Sequence, residues 1–522
     1  MKKSFNKQKL KRRMTRYKDF LRAVIVYWLL IFAGLLIFPV LIFSNFGLTP
    51  YLIILAITIV TLAYILITNH ELSSKWAWFI VVAFVPVLGL FTFFFIGYSL
   101  LTKKNYQKKK EADIYFYRKY ILKDLDKQLD FVYNDELTKE MSIISQMSKS
   151  PLYEHNQVRI LEYQMVYDAM FEAVIRAEHH IHMEMYIIRD DSFTRPIFNA
   201  MMEKARAGLQ VRILADVVGT VFLENKFIEE LIDSGIEFRL FAEPKAFYMD
   251  HMHANHRKLI VVDGKIGFTG GYNMGREYVA GYPKKKLLWR DVMMQIEGSS
   301  LRYMQTQFLA DWFFATQESF VDDGEEHLFF RNWSKDTSEQ EGVIQLISDG
   351  PDVEDFPIKN AYYRLINGAQ ERIWLTTPYL IPTDDILQAL KAAAMVGIDV
   401  RIIFPDRPDK KTVYYCSRSY IRDLLEAGVK IYTLDGKFQH SKLLLVDNDI
   451  AALGTVNLDV RSLMINFELH GFFYEHQAIH SIERFIEADI KASSEIDLQK
   501  WRQRPFWQKI IELLMRVFSP VF

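Results

Sequence analysis

The chain has 522 residues, half of them hydrophobic and a quarter charged, and its 64 basic residues are balanced by 64 acidic ones. That length calls for two or three domains, and the composition excludes a disordered, collagen-like or disulfide-built protein. A single cysteine, Cys416, leaves no internal disulfide to form, and zero net charge argues at first sight against polyanionic partners.

The charge is unevenly spread. Residues 2–22 carry ten Lys or Arg against one acid, Asp19, so the tail is +9 and the remainder −9. Three uncharged apolar runs follow, Ala23–Phe43, Tyr51–Thr68 and Trp76–Tyr98. Their lengths suit helices crossing a hydrocarbon core of roughly 30 Å, the second at the short end. The first run is too long for the apolar region of a cleavable signal peptide, and no small-residue cleavage site follows it. A second basic group, Lys103, Lys104, Lys108, Lys109 and Lys110, closes the region. Both flanks ask for the cytoplasmic side, so two or three spans stay open; the basic groups read as topology signals and contacts to anionic lipid. No aromatic stacking platform accompanies them, which disfavours nucleic acid.

From about Asp130 short apolar runs alternate with amphipathic helices. His180–Ile188 is predicted as a strand, Arg195–Ala207 as a helix ended by Gly208, and Val211–Ala215 as a strand; a helix through Glu230 and Leu231 precedes a strand at Phe238–Phe241. The order then repeats: strand Arg372–Thr377, helix Asp384–Val396 ended by Gly397, strand Val400–Phe404, helix Ser419–Glu426 and strand Lys430–Leu434. Letters repeat as well, GLQVRILAD at 208–216 lying over GIDVRIIFPD at 397–406, and GIEFRLF at 235–241 over GVKIYTL at 428–434. Offsets of 189 and 193 residues mean duplication of a whole domain rather than a solenoid. Two α/β halves would form a cleft between them, a common place for a site.

Each half carries the same constellation after its last repeated strand. HRKLIVVD and GGYN supply His256, Lys258, Asp263, Gly271 and Asn273; HSKLLLVD and GTVN supply His440, Lys442, Asp447, Thr455 and Asn457. The internal spacings are the same in both copies, which excludes coincidence. His and Lys two apart in an extended segment share a face, and imidazole, ammonium and amide together are donors suited to phosphate. Two such sets around one phosphoryl centre allow one histidine to attack while the other protonates the leaving alkoxide. The lysines and asparagines would stabilise charge on the equatorial oxygens.

These residues resemble the double HKD motif of the phospholipase D superfamily, over about residues 130 to 490. WAWFIVVAFVPVLGLFTFFFIG at 76–97 resembles the N-terminal membrane segment of bacterial cardiolipin synthases, and MEMYIIRD, LWRD, PYLIP and NLDVRSLMINFE extend the likeness. The resemblance implies an α/β fold: N-terminal transmembrane helices, then two duplicated phospholipase D-like α/β sandwich domains sharing one active site. In residue numbers this gives a basic tail (1–22), a transmembrane region (23–98), a basic linker (99–135), two domains (136–335 and 336–500) and an amphipathic tail (501–522). It implies a multi-pass protein of the bacterial cytoplasmic membrane that converts two phosphatidylglycerol molecules to cardiolipin and glycerol through a phosphatidyl-histidine, with neither metal nor cofactor. The rival chemistry is hydrolysis of the same intermediate, as in a phospholipase D. His256 would be the nucleophile and His440 the acid and then the base, an order that near-symmetry allows to be reversed. Asp291 and Glu468 take the places of carboxylates that orient the histidines, while Asp263 and Asp447, one strand-length from their histidines, belong to the framework. Gly271 stands where the family commonly has Ser, putting a hydroxyl contact to phosphate in doubt on that side; Thr455 keeps the hydroxyl.

Two further signals stand outside the motif. The groups His179, His180, His182 and His251, His253, His256 suggest a metal, and His180 and His182 share a strand face with spacing that can bind zinc. No thiolate or compact carboxylate set accompanies them, so a core-edge strand plus a loop histidine is the reading, with His251 and His253 as candidate phosphate or headgroup contacts. In Trp501–Phe522 the residues Trp507, Ile510, Leu513, Leu514 and Phe518 are interspersed with Lys509 and Arg516, a pattern of an interfacial or a domain-packed helix.

Overall fold

A computed structural model describes residues 49–67, 72–94, 106–125, 135–241, 253–281, 287–319, 326–330 and 342–519. The basic tail, the first apolar run, Lys103, Lys104 and His251 lie outside the described residues.

The first half contains β1 (Asn156–Leu161), β2 (His180–Met185), β3 (Gln210–Ala215), β4 (Glu237–Leu240), β5 (Lys258–Val262), β6 (Ile266–Gly270), β7 (Leu288–Arg290) and β8 (Met293–Gly298). The second contains β9 (Val343–Asp349), β10 (Arg372–Thr376), β11 (Asp399–Pro405), β12 (Lys430–Leu434), β13 (Lys437–Gln439), β14 (Leu443–Val446), β15 (Ile450–Gly454), β16 (Glu468–Tyr474) and β17 (Ser493–Glu495). The sheets run β1-β8-β6-β5-β2-β3-β4 and β17-β12-β11-β10-β14-β15-β16-β9. Apart from β17 the two orders are the same, so the duplication read from the letters is one of topology. Parallel pairs β2–β3 and β10–β11 come from βαβ crossovers, through helices Arg195–Arg206 and Asp384–Met395.

The motif strands are apolar on both faces because both faces are covered. Leu259 and Val261 of β5, like Leu443 and Leu445 of β14, join a core between the two sheets that also holds Phe308 and Trp312 of helix Leu301–Thr316 and Ile482 and Phe485 of helix Ala478–Lys491. Their neighbours Ile260 and Val262, and Leu444 and Val446, face the outer helix layers. The molecule is therefore layered helix, sheet, helix, sheet, helix. The HKD strands lie at the inner faces, where the halves meet.

The N-terminal region corrects the expectation of transmembrane helices and a multi-pass topology. Among the described residues no helix is long and apolar enough to cross a membrane. Residues 51–67 of the second apolar run lie in a 19-residue helix, Thr49–Ile67. The third run is not one helix: Leu72–Phe84 stops at Val85, and Pro86 opens a separate seven-residue helix, Pro86–Thr92. Proline lacks the amide hydrogen that a continuous helix would need there. Counting uncharged letters missed that break.

Lys109 is a second correction. Expected as a basic flank, it is fully buried on helix Gln107–Tyr120, bonded to Asp113 and, at 2.9 Å, to Asp311. Asp311 also takes Arg257 Nη1 at 2.9 Å, so the linker is ion-paired into the space between the sheets.

Candidate active site

Each motif histidine is delivered by a backbone joint between the halves. His256 N–H donates to Phe467 O at 2.9 Å, and Phe467 N–H to Ala254 O at 2.9 Å. On the other side β13 pairs in parallel with β7, Gln439 opposite Arg290, and His440 N–H donates to Arg290 O at 2.8 Å. Glu468 follows Phe467 and Asp291 follows Arg290, so these joints carry each carboxylate to the histidine of the opposite half.

Glu468 therefore sits beneath His256, both carboxylate oxygens 3.0 Å from Nδ1. Asp291 sits beneath His440, Oδ2 at 2.5 Å from Nδ1. A carboxylate on Nδ1 fixes the tautomer, which turns the Nε2 lone pair away from the carboxylate. Both histidines line one cavity of about 680 Å³ at the junction of the halves, with Asn273, Asn457, Tyr186, Tyr379 and Trp289. Trp289 lies 4.4 Å from the His440 ring and Tyr186 4.9 Å from that of His256, centroid to centroid, holding the imidazoles laterally.

The lysines stand beside their histidines. Lys258 Nζ donates to His256 O at 2.7 Å and lies 5.2 Å from the Tyr186 ring centroid. Lys442 Nζ bonds His440 O and lies 2.8 Å from His440 Nδ1 and 3.6 Å from Asp291. Burial pushes Lys258 down to about 7 and Lys442 down to about 8, against the pull of Glu468 and Asp291. Burial also takes His256 down to about 4, Glu468 opposing, and carries His440 well below its ordinary value, helped by Lys442 and Lys258. Two imidazoles and two ammoniums thus depress one another in a desolvated space. An anion held among them reverses that, because it favours every protonated form at once.

The carboxylates differ. Burial raises Asp291 to about 7 although Lys442 pulls it down. Burial pushes Glu468 up too, but His256, Lys258 and the Thr455 hydroxyl outweigh it and hold its carboxyl below the ordinary value. The Thr455 hydroxyl bonds Glu468, and Gly271 has no space to offer one: a Cβ there would stand 2.0 Å from Asp291 Oδ1. Neither residue lines the cavity. Both residues stand against the carboxylates that meet the histidines.

Asp263 and Asp447 lie at the far ends of β5 and β14, outside the cavity lining. Asp263 accepts the amides of Glu178, His179 and His180, each at 2.8 Å. Asp447 accepts those of Gln370, Glu371 and Arg372 at 3.0, 2.7 and 3.0 Å. Each tethers the start of the neighbouring strand from a left-handed backbone, φ 55° and 51°. Asn273 is bonded on both ends, Nδ2 to Tyr278 Oη at 2.8 Å and Oδ1 to the Ile187 amide at 3.2 Å, whereas the buried Asn457 Oδ1 has no hydrogen-bond partner among the described residues.

His180 and His182 share Gln305, with ring-nitrogen distances of 3.2 and 3.0 Å, and His182 stacks on Phe308 at 4.5 Å. His253 Nδ1 donates to Ile465 O at 3.0 Å. Among the described residues no group of three or more His, Cys, Asp or Glu is placed to hold a metal.

Two groups of site residues escaped the motif reading. Arg189, Lys410 and Arg461 add cations to the cavity wall. Arg257, the unread letter of HRK, is 1% exposed and reaches Asp311, Ser348 Oγ at 2.5 Å and Glu468 O at 3.1 Å, clamping the strand that carries the His256 carboxylate. The signal available was its asymmetry: the second motif has Ser441 at that place.

A family model described as "Cardiolipin synthase, PLD-like domain" matches residues 170–312 and 362–490, and one described as "Phospholipase D-nuclease N-terminal" matches 56–97. Cardiolipin synthase 2 of Bacillus anthracis is 36% identical over 462 residues, 88% of either chain. The cardiolipin synthase of Geobacillus kaustophilus (strain HTA426) is 35% identical over 477 residues, 90% of this chain and 93% of that one. The crystal structure of a phosphatidylserine synthase from Haemophilus influenzae Rd KW20 covers 74% of this chain and 100% of its own, with a TM-score of 0.55 and 14% identity, a likeness of fold.

Proposed function

This chain belongs to the cardiolipin synthase family of phospholipase D-like proteins and is a phospholipid transphosphatidylase; we propose that its substrates are two molecules of phosphatidylglycerol and its products cardiolipin and glycerol. The supporting observation is the crossed pairing of His256 with Glu468 and His440 with Asp291 at one cavity, which makes two imidazole bases that differ in their carboxylates. His256 Nε2 attacks the phosphorus of the first lipid. The phosphorus–oxygen bond to the headgroup breaks, and His440, charged once an anionic phosphodiester lies beside it, gives its proton to the departing glycerol oxygen. His440 then takes the proton from a glycerol hydroxyl of the second lipid. That oxygen attacks the phosphatidyl-histidine, displacing His256 and restoring both side chains. Lys258, Lys442, Asn273 and Asn457 carry the charge on the non-bridging oxygens throughout. One phosphodiester is exchanged for another, so no nucleotide is consumed.

Asp291, Glu468, Gly271 and Thr455 position the histidines in this reading, and Asp263 and Asp447 hold the frame. The reaction takes place at the bacterial cell membrane, where its substrates reside. The test is incubation of the purified full chain with headgroup-labelled and acyl-labelled phosphatidylglycerol. Cardiolipin and free glycerol are expected in equal amounts, and neither should form in His256→Ala or His440→Ala. Phosphatidic acid as the sole lipid product would replace the reading by hydrolysis.

A further inference from the structure

The last described helix, Phe506–Val517, has one satisfied face and one bare face. On the satisfied face Glu512 is buried, taking Arg418 Nε at 2.9 Å and Arg504 Nη2 at 2.5 Å, and Arg516 Nη1 reaches Asp423 at 2.8 Å and Ser419 O at 3.1 Å. The bonds to Arg418, Asp423 and Ser419 fasten it to helix Lys411–Glu426. The bare face consists of Phe506, Trp507, Ile510, Leu513 and Leu514, spaced at three and four residues; Phe506 is 76%, Leu513 66% and Trp507 54% exposed. Isolated exposed apolar residues need no explanation, but a continuous apolar stripe on a rigidly attached helix does.

We infer that this stripe is a docking surface for an anionic bilayer, placing the mouth of the catalytic cavity at the lipid surface; the inference rests on the proposed phospholipid substrates. Charge argues for that occupant. Residues 498–519 contain Lys500, Arg502, Arg504, Lys509 and Arg516 against one acid, Glu512, which is buried. Lys500, Arg502 and Lys509 are exposed, Arg502 paired with Glu426 at 2.8 Å, so the segment keeps a basic excess, as in a helix lying at the headgroup level of anionic lipid. A two-fold contact with a second copy would instead oppose this basic margin to itself. Position argues for it too. Helix Lys411–Glu426, on which the stripe is mounted, begins at the cavity: Asp409, Lys410, Thr412 and Val413 are all in its lining. The helix that carries the stripe, bonded to it at Arg418, Ser419 and Asp423, therefore also contributes its first turn to the cavity wall.

Cys416 is buried, so one engineered thiol can be labelled selectively in the full chain. Leu513→Cys carrying an environment-sensitive fluorophore is mixed with vesicles of phosphatidylglycerol and phosphatidylcholine, with vesicles of phosphatidylcholine alone, and with brominated lipid as quencher. Lys491→Cys, on an exposed lysine of another helix, is the reference position. A blue shift and bromine quenching at 513 that require phosphatidylglycerol, absent at 491, are expected. No shift with vesicles, or a shift that grows with protein concentration alone as for a second copy, would overturn the inference. In a second arm, Leu513→Glu with Leu514→Glu should lower turnover on vesicles by roughly tenfold or more and spare turnover on monomeric short-chain phosphatidylglycerol; equal turnover on vesicles overturns it. Failure to form cardiolipin from either substrate would refute the reaction, while the vesicle-dependent shift would stand apart from it.

Discussion

Replacing Glu468 by Gln keeps the shape beneath His256 and removes the charge. Two oxygens at 3.0 Å from Nδ1 are involved. A hydrogen bond to a charged group contributes about 1.5–3 kcal/mol net. The full attraction of a unit charge over 3 Å at an effective dielectric of 20 is about 5 kcal/mol, which sets the ceiling. At about 1.4 kcal/mol per decade, turnover should fall between roughly 10-fold and a few thousand-fold, with KM little changed. Asp291→Asn should behave differently. Its carboxyl is raised to about 7 by burial, so below that pH the native group is itself largely neutral and the amide resembles it. Above that pH the native group is ionised and the amide is not, so the ratio of the native rate to the Asp291→Asn rate should climb as pH rises through about 7. The corresponding ratio for Glu468→Gln should stay flat over the same window, because Glu468 is held below its ordinary value. Initial rates of cardiolipin formation across pH about 5.5 to 8.5 decide, with saturating lipid separating turnover from binding. A flat ratio for Asp291→Asn, or a loss under about threefold for Glu468→Gln, would refute the crossed-carboxylate account.

Gly271→Ser should damage rather than restore the site, because its Cβ would meet Asp291 at 2.0 Å; loss of turnover with a destabilisation of about 1–3 kcal/mol is expected by chemical denaturation. Asp447→Asn should lower the melting temperature through lost strand tethers while the folded fraction keeps its turnover, and a selective loss of turnover would place the residue in the chemistry. Lys258→Met should abolish turnover yet raise the melting temperature by about 1–4 °C. The folded-state value of about 7 lies below the ordinary lysine value, so the folded chain binds fewer protons and stability should rise with pH above about 7. A pH-independent melting temperature over about pH 7 to 10 would contradict that placement of Lys258.

Much of this was legible in the letters. The paired motifs, their equal spacings and the repeated strands announced a duplication, and every repeated strand predicted from them exists within two or three residues of its expected ends. Helices held by tertiary contacts were harder to delimit: the one expected at Ser419–Glu426 begins at Lys411. What local pattern cannot carry is partnership at long range. His256 and Glu468 are 212 positions apart and His440 and Asp291 149, so no periodicity links them, and only resemblance pointed to the carboxylates. The same limit hid Arg257 and Lys109. One looked like a spacer and the other like a surface charge, yet they meet at Asp311 in a space that exists only when both sheets and the linker helix are assembled. In the apolar head, composition was visible and continuity was not, because one proline divides a run that contains no charge.

The departures between the half-sites compensate one another. Asp291, one methylene shorter than a glutamate, lies against the end of β6 in its own half. It does so by occupying the space where residue 271 would have a Cβ, and that residue is glycine. In the other half residue 455 is Thr, and its hydroxyl donates to Glu468. Short acid with glycine and long acid with threonine are thus two solutions to one distance. They also leave the acids electrically unequal: the one bonded by a hydroxyl stays ionised, while the one packed against a glycine is raised towards neutral pH. The two half-sites of the duplication thus differ where residue 271 meets Asp291 and where residue 455 meets Glu468.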